Sequence, residues 1–331
     1  MNIRTLFHLL LLVTLLTGSN GLMKAAAPKP AKPVRKITPG QVIVPTERMR
    51  RIWGELVGVD LEMRTGIFRS ESTDELFYFT ALPYAEMLHH ATFGDLADFK
   101  VGERAIFRLH ENEKGEWAWL TYIQDEMNML NGHKEYYFVD ELDAAKGTIG
   151  FTQAKGDKSF VREKGLVLQT DAETKFWKGG RPATFADIKV GDKLRAKTHG
   201  VGKGRVRVAW HVFLDDESLE QFRNEQIAVH TRKMTAEGLP GYVDRADGQE
   251  LDLTLFQEAT VLASGVKPGQ SIRVAPAGVN RRPDGDPVTG RLLSCERKGK
   301  TYQVRLILDE APDDFEVTGL ARLWVKDGES K

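Results

Sequence analysis

The stretch F-G-D-L-A-D-F-K-V-G-E-R-A-I-F-R-L, from Phe93 to Leu109, recurs twice more along the chain in altered form. The second copy, F-A-D-I-K-V-G-D-K-L-R-A-K-T, runs from Phe185 to Thr198. The third, S-G-V-K-P-G-Q-S-I-R-V, runs from Ser264 to Val274. All three contain a Lys-Val-Gly or Lys-Pro-Gly turn, then a polar residue and an alternating strand. A repeat at this period predicts a tandem array of one structural unit.

Two landmarks stay in register in all three copies. The turn glycines are Gly102, Gly191 and Gly269, 89 and 78 residues apart, and each indicates a backbone position with positive φ. Each copy then continues into a second alternating strand that ends in an acidic pair. The pairs are Asp125–Glu126, Asp216–Glu217 and Asp309–Glu310. Because a catalytic pair is needed at one place only, the repetition favours a turn or capping role.

The alternation of apolar and polar residues every second position predicts strands rather than helices. Each copy holds four to six short strands in roughly 70–90 residues, and strands this short usually close on themselves to remove unpaired edges. We therefore predict a mostly β protein of three tandem small β-barrel modules of oligonucleotide-binding (OB) type, with one or two connecting helices. A β-sandwich built across the copies is the alternative.

The repeat and the composition of the N-terminal region suggest six segments. A helix is predicted from Ser218, which would cap it, to Met234, and a shorter one around residues 127–130. The segments are a signal peptide at 1–21, a Pro/Lys-rich linker at 22–46, β-barrel module 1 at 47–130, module 2 at 131–217, a connecting helix at 218–238 and module 3 at 239–331.

The N-terminus resembles a secretory signal. Arg4 precedes an apolar stretch from Leu6 to Leu16, and small residues follow. That stretch is shorter than the roughly 20 residues that span a bilayer. We predict a cleaved signal, no transmembrane span in the mature chain and a periplasmic or secreted location. An uncleaved anchor is the alternative.

The pattern of a strand, a Lys-Val-Gly-Asp turn, an alternating basic strand and a strand ending in acids resembles the small OB-like barrels of bacterial extracytoplasmic proteins. The DUF5666 family is the example we name. The resemblance covers three stretches of the repeat, and it implies a fold and a compartment, not an activity.

Charge limits the partners. The chain of 331 residues has 47 basic and 47 acidic residues, but residues 1–46 hold six of the basic ones and no acid. The remainder has a net charge of −6. A generic nucleic-acid binder would be positive, so nucleic acid is not expected as a partner.

One segment is strongly basic. Residues 181–210 carry a net charge of +6, whereas residues 52–127 carry −9. Alternation predicts that Leu194, Ala196 and Thr198 face a core while the cations point outward. The residues predicted to bind an anionic ligand on this face are Lys193, Arg195, Lys197, Arg205 and Arg207. The alternatives are that the face docks onto the acidic first copy or is simply solvated.

No catalytic or metal site is predicted. The single cysteine, Cys295, excludes a disulfide within the chain and a multi-cysteine metal site, and we expect it to be a buried or half-buried free thiol. His89 and His90 are adjacent, so on a strand they would point to opposite faces. No G-x-S-x-G motif occurs, and the Gly200–Gly204 stretch reads as a hairpin loop. We expect no cofactor.

The sequence therefore predicts an exported, non-enzymatic binding or scaffold protein whose partner is an envelope polymer or protein. The alternatives are an extracytoplasmic enzyme acting on an envelope polymer, and a polyanion- or metal-binding module.

Overall fold

The computed structural model describes residues 49–199, 206–311 and 314–325. Strands make up 55% and helices 16%, and the strands form three closed small barrels, so the predicted fold class is confirmed. The alternative of a β-sandwich is excluded. Within the described ranges, no helix combines the length and apolar character needed to cross a bilayer. The predicted signal peptide and linker lie outside the described residues.

The first barrel has the strand order of an OB fold. Its strands are β1 (Met49–Asp60), β2 (Thr65–Ser70), β3 (Leu76–His89), β4 (Thr92–Phe93), β5 (Arg104–Glu111) and β6 (Trp117–Asp125). A ring closes in the order β1–β2–β3–β6–β5, and its β3–β6 pairing is the parallel one. Inside, the rings of Phe68 and Phe107 stack with centroids 3.9 Å apart. Helix α1 (Glu126–His133) follows, and the carboxylate of Asp125 caps its first turn.

The second barrel repeats this order. Its strands are β7 (Glu135–Asp143), β8 (Thr148–Lys155), β9 (Val161–Gln169), β10 (Lys175–Lys178), β11 (Arg181–Ala183), β12 (Lys193–Thr198) and β13 (Arg207–Phe213). The ring runs β7–β8–β9–β13–β12, again with one parallel pairing, β9–β13. The β10–β11 hairpin extends the sheet beyond β13.

Helix α2 (Asp216–Glu237) leads into the third barrel. It contacts β4 of the first barrel, β10 and β13 of the second, and the third barrel beyond it. The predicted helix from Ser218 lies within α2, but the N-cap is Asp215 rather than Ser218. The remaining elements are β14 (Leu239–Asp247), β15 (Glu250–Leu255), α3 (Thr260–Ala263), β16 (Ser271–Ala277), β17 (Val288–Lys298), β18 (Thr301–Leu308) and β19 (Leu320–Val325).

The third barrel is closed but differs in strand order. All its pairings are antiparallel, in the order β14–β15–β18–β17–β16–β19. The strand after its glycine turn, β16, pairs with β17 and β19 instead of the first strand of the module. That position beside β14 is occupied by β19. The third copy is therefore a barrel with the same turn but a different topology.

The glycine turn itself recurs more often than the sequence suggested. Gly102, Gly191 and Gly269 have φ of +89°, +94° and +88°, which confirms the predicted positive φ. In each turn the backbone N–H of the glycine donates to the carbonyl of a buried residue at a β-bulge. The N–H of that bulge residue donates in return to the carbonyl of the residue after the glycine. The bulge residues are Leu56, Val139 and Leu292, at donor–acceptor distances of 2.7–3.0 Å.

A fourth turn of this kind has a threonine at the glycine position. Thr318, with φ of +71°, donates to the carbonyl of Val243 at 2.8 Å, and the Val243 N–H donates to the carbonyl of Gly319 at 3.0 Å. Val243 marks the bulge between β14 and β15. The third barrel thus contains two such turns, one before β16 and one before β19.

Apolar contacts join the barrels to one another. Ile106, on the outer face of the first barrel, is fully buried in the core cluster of the second. Tyr84 of the first barrel packs with Tyr242 and Phe256 of the third. Burying a side chain such as Ile106 contributes about 1.5–3 kcal/mol. The described residues form one compact unit.

Candidate functional site

An open cleft of about 690 Å³ lies between the first and second barrels. The first barrel contributes the start of β1 and the turn after β2, and the second contributes residues of β8, β9 and β13. In barrel 2 these are the second, third and fifth strands of the ring. OB folds commonly bind their ligands on the face of the second and third strands. The charged residues lining the cleft are Arg50, Arg51, Arg104, Arg162 and Arg207, with Glu71 and Glu163.

Two of the five arginines are neutralised by buried carboxylates. Arg104 donates to Glu126 and to Glu71, each at 2.9 Å, and its guanidinium lies 3.9 Å from the Trp53 ring centroid. Arg162 binds Glu135 through both its Nε and Nη2 atoms. These pairs hold the walls of the cleft and leave little charge for a ligand.

Arg50 and Arg51 have no carboxylate partner among the described residues. Both are exposed at the rim, and Arg50 lies over the rings of Phe77 and Trp117. Arg51 pairs across the β1–β5 ladder with Arg108, a like charge. Partial burial lowers the pKa of Arg51, and the charges of Arg108 and Arg162 lower it further. The rim of the cleft is therefore electropositive.

Arg207 supplies the third incompletely neutralised charge. Its Nε lies 3.7 Å from Glu71, and its buried Nη1 has no hydrogen-bond partner within the described part of the chain. A guanidinium N–H without a partner at the wall of a cleft can donate to a bound anion. Together with Arg51, it makes the cleft suited to a carboxylate, sulfate or phosphate group.

The structure divides the five predicted ligand-binding residues among different environments. Arg207 lines the cleft, and Arg205 lies outside the described residues. Lys193 is exposed and donates to the carbonyl of Gly156 at 2.7 Å. The other two, Arg195 and Lys197, are buried, so the prediction that all five side chains share one outward face is wrong.

Arg195 and Lys197 are buried. Arg195 pairs with Asp216 and lies 3.9 Å from the ring centroid of Tyr136. The other face of β12 holds Leu194 and Ala196, which belong to the barrel core as predicted. Because β12 is covered on both faces, alternation did not distinguish an outward face from a face packed against other elements.

Lys197 enters a polar cluster of the first barrel. Its Nζ lies 2.9 Å from Glu103 Oε1, 2.8 Å from His89 Nε2, 3.0 Å from His90 Nε2 and 4.0 Å from Asp125 Oδ2. This contact agrees with the alternative that the basic face docks onto the acidic first copy, because Lys197 of the second barrel lies against Glu103 and Asp125 of the first. Arg207 does the same with Glu71.

The pKa values of this cluster reflect its burial and its charges. Burial raises the pKa of Glu103, but the Lys197 charge and the contact with His89 Nε2, 3.4 Å from Glu103 Oε1, outweigh burial and lower it to about 2. Burial, together with the Lys197 charge, lowers the pKa of His90. Burial raises the pKa of Asp125. Glu103 is therefore held as an anion and His90 as a neutral acceptor.

The expectation that His89 and His90 point to opposite faces is wrong. Strand β3 ends at His89, and His90 has φ of +49°, so the chain turns and the two rings stack with centroids 3.8 Å apart. Donor atoms of both histidines and Asp125 lie within 4.8 Å of one another. Sequence spacing gave no signal for this cluster because Lys197 lies 108 residues from His89.

The other candidates have structural roles. Asp125 caps α1 as predicted, and Glu126 is fully buried against Arg104. Asp309 accepts from Thr289 at 2.5 Å. Cys295 is half-buried, and burial raises the pKa of its thiol.

Comparison with known proteins adds little to this geometry. No protein family and no curated protein matches the chain. Among solved structures, the chain is similar to drosophila Unr CSD456, with 14% identity over 74% of this chain and 79% of that one. The TM-score of 0.18 is too low to support an argument about function.

The prediction that nucleic acid is not a partner is wrong as an exclusion. The prediction rested on the net charge of −6, which averages over the whole surface. The cleft, in contrast, is locally basic.

Proposed function

We propose that this protein is a non-enzymatic binding or scaffold protein of the cell envelope, and that the cleft between its first two barrels takes an anionic ligand. The observation that carries the proposal is the set of arginines in the cleft that no carboxylate fully neutralises, namely Arg50, Arg51 and Arg207. The cleft also lies on the strand face through which OB folds commonly bind polymers.

The envelope location rests on the sequence. The charged, apolar and small-residue order of residues 1–21 is the pattern of a secretory signal, and residues 22–46 have the composition of an extended linker. The proposed kinship with the DUF5666 barrels points to the same compartment. Cell fractionation, followed by mass measurement of the N-terminal peptide, tests this part. A chain found in the cytoplasm with Met1 to Gly21 intact would contradict it.

A hydrolytic role is less well supported by the cleft. The carboxylates that line it are Glu71 and Glu163, and Glu71 is already held by Arg104 and Arg207. Glycoside hydrolysis needs a pair of carboxylates, and of the two that line the cleft only Glu163 has no ion-pair partner among the described residues. The arrangement favours ligand binding.

Retention on immobilised heparin tests the anion site, with heparin as the polyanionic probe. We expect the double variant Arg51→Gln, Arg207→Gln to elute at lower salt than the native chain and to show a weaker dependence of binding on salt, because fewer counterions are released. Arg291→Gln is the matched control, since Arg291 is exposed on β17 of the third barrel.

The outcomes separate the ligand classes. Competition by single-stranded DNA as effectively as by heparin would indicate a nucleic-acid ligand, and competition by lipopolysaccharide alone would indicate an envelope polymer. Equal elution of the double variant and the native chain would reject the cleft as the site.

A further inference from the structure

The cluster around Lys197 has the composition of a cation site. His89 and His90 at the end of β3, Glu103 just before β5 and Asp125 at the end of β6 all belong to the first barrel. Their imidazole nitrogens and carboxylate oxygens surround one point, which the Nζ of Lys197 occupies from the second barrel. Imidazole and carboxylate are the ligand types that zinc and related divalent metals take.

Two of these side chains, His89 and Asp125, are oriented by further hydrogen bonds. The Nδ1 of His89 bonds the amide oxygen of Gln226 at 3.0 Å, which leaves Nε2 to face the centre. Asp125 accepts from the backbone N–H groups of Asn128 at 2.7 Å and His90 at 2.9 Å. Such outer contacts are what hold metal-binding side chains in position.

One acceptor in the cluster lacks a hydrogen bond. Glu103 is fully buried, and its Oε1, 2.9 Å from the Lys197 Nζ, makes an ion pair without hydrogen-bond geometry. Asp125 is also fully buried. Two buried carboxylates require compensating positive charge inside the site. In the native chain that charge comes from the ammonium group of Lys197.

We propose that His89, His90, Glu103 and Asp125 form a cation cage whose native occupant is the ammonium of Lys197. The cage takes one divalent transition-metal ion of the zinc class when that ammonium is removed. The ammonium of Lys197 thereby links the second barrel to the first.

Lys197→Met tests the proposal, because methionine keeps the unbranched stem and removes the charge. We expect the dialysed native chain to hold no stoichiometric zinc, and the variant to bind one Zn²⁺ per chain in calorimetry. The variant's melting temperature without metal should be lower than that of the native chain, and Zn²⁺ should raise it. The melting temperature of the native chain should not respond.

Two further variants test whether zinc binds at this cluster and not elsewhere on the protein. Lys193→Met is the matched control on the same strand, and it should acquire no zinc because Lys193 is exposed. Adding His89→Gln to Lys197→Met should abolish the zinc response. A folded Lys197→Met chain that binds no zinc, or that is as stable as the native chain without metal, would overturn the proposal. Stoichiometric zinc in the native chain that His89→Gln removes would do so too.

A measurement on the native chain guards against a variant that fails to fold. Reductive methylation of the folded protein, followed by peptide mapping, should modify Lys193 and leave Lys197 unmodified until the protein is unfolded. Methylation of both lysines at equal rates would show that the ammonium of Lys197 does not stay in the cage, which would overturn the proposal.

Discussion

The same backbone conformation recurs at four single residues, and it is strained at one of them. Gly102, Gly191 and Gly269 adopt positive φ without cost, whereas Thr318 is β-branched and resists φ of +71°. We predict that Thr318→Gly raises the free energy of unfolding by about 0.5–1 kcal/mol, since relief of strain exceeds the entropy that glycine adds to the unfolded chain. Urea denaturation measures the change.

A substitution in the opposite direction, which adds a Cβ at a positive-φ glycine, is the control. No atom lies within 4 Å of a Cβ built on Gly191, so Gly191→Ala isolates the backbone effect and should cost about 1–2 kcal/mol. A Thr318→Gly chain less stable than the native one would show that the fourth turn does not share the strain argued here.

His230 gives the chain a dependence on pH. It is buried, it contacts the carbonyl of Glu258 at 3.2 Å, and burial lowers its pKa to about 4. Arg281 and Lys233 also lower this pKa, while Asp95 and Asp98 oppose them. Because the unfolded chain, with a pKa near 6.5, binds the proton more readily, stability is lost as pH falls from about 6.5 to 4.

The size of that loss can be measured against a variant. A shift of this size in the pKa of His230 corresponds to about 3 kcal/mol between pH 7 and pH 4. His230→Gln keeps a donor for the carbonyl of Glu258 but does not titrate. Urea unfolding at both pH values should show a smaller loss for the variant than for the native chain. Parallel curves would contradict the assignment.

At the scale of elements, the start of α2 joins the helix to the β10–β11 hairpin. Asp215 accepts from the N–H of Ser218 at 2.9 Å and from the N–H of Gly179 at 2.6 Å. We predict that Asp215→Ala costs about 1–2 kcal/mol because both donors lose their acceptor. Thermal unfolding by circular dichroism checks this, with exposed Glu217→Ala as the control, expected within about 0.5 kcal/mol of the native chain.

The sequence predicted the elements better than their contacts. The turns at Gly102 and Gly191 carried enough local signal to place the strands, because positive φ and period-two alternation are properties of neighbouring residues. The turn at Thr318 was missed because threonine is not a residue expected at positive φ. The environment of Lys197 was missed because alternation indicates only which face of β12 lies in the barrel core. It does not indicate whether another element covers the opposite face.

For the whole molecule, the uneven charge of the sequence is explained by docking between barrels. Residues 52–127 carry a net charge of −9, and acids of this barrel meet cations from later in the chain. Glu103 meets Lys197, Glu71 meets Arg207 and Asp95 meets Arg281. The acidic charge of the first barrel is therefore partly internal to the molecule, while the arginines at the rim of the cleft remain available to solvent.

Asp95 joins the first barrel to α2 and the third barrel. It lies 3.1 Å from Arg64, 2.5 Å from Lys233 and 3.9 Å from Arg281, and these cations hold its pKa well below the usual range against the opposing effect of burial. Asp95→Asn keeps the shape and removes the charge, which leaves buried cations uncompensated and should cost about 3–5 kcal/mol. Urea denaturation measures the loss. Exposed Asp74→Asn should change stability by no more than about 0.5 kcal/mol. Equal losses in the two variants would mean that the ion pairs of Asp95 do not help to hold α2 and the third barrel against the first.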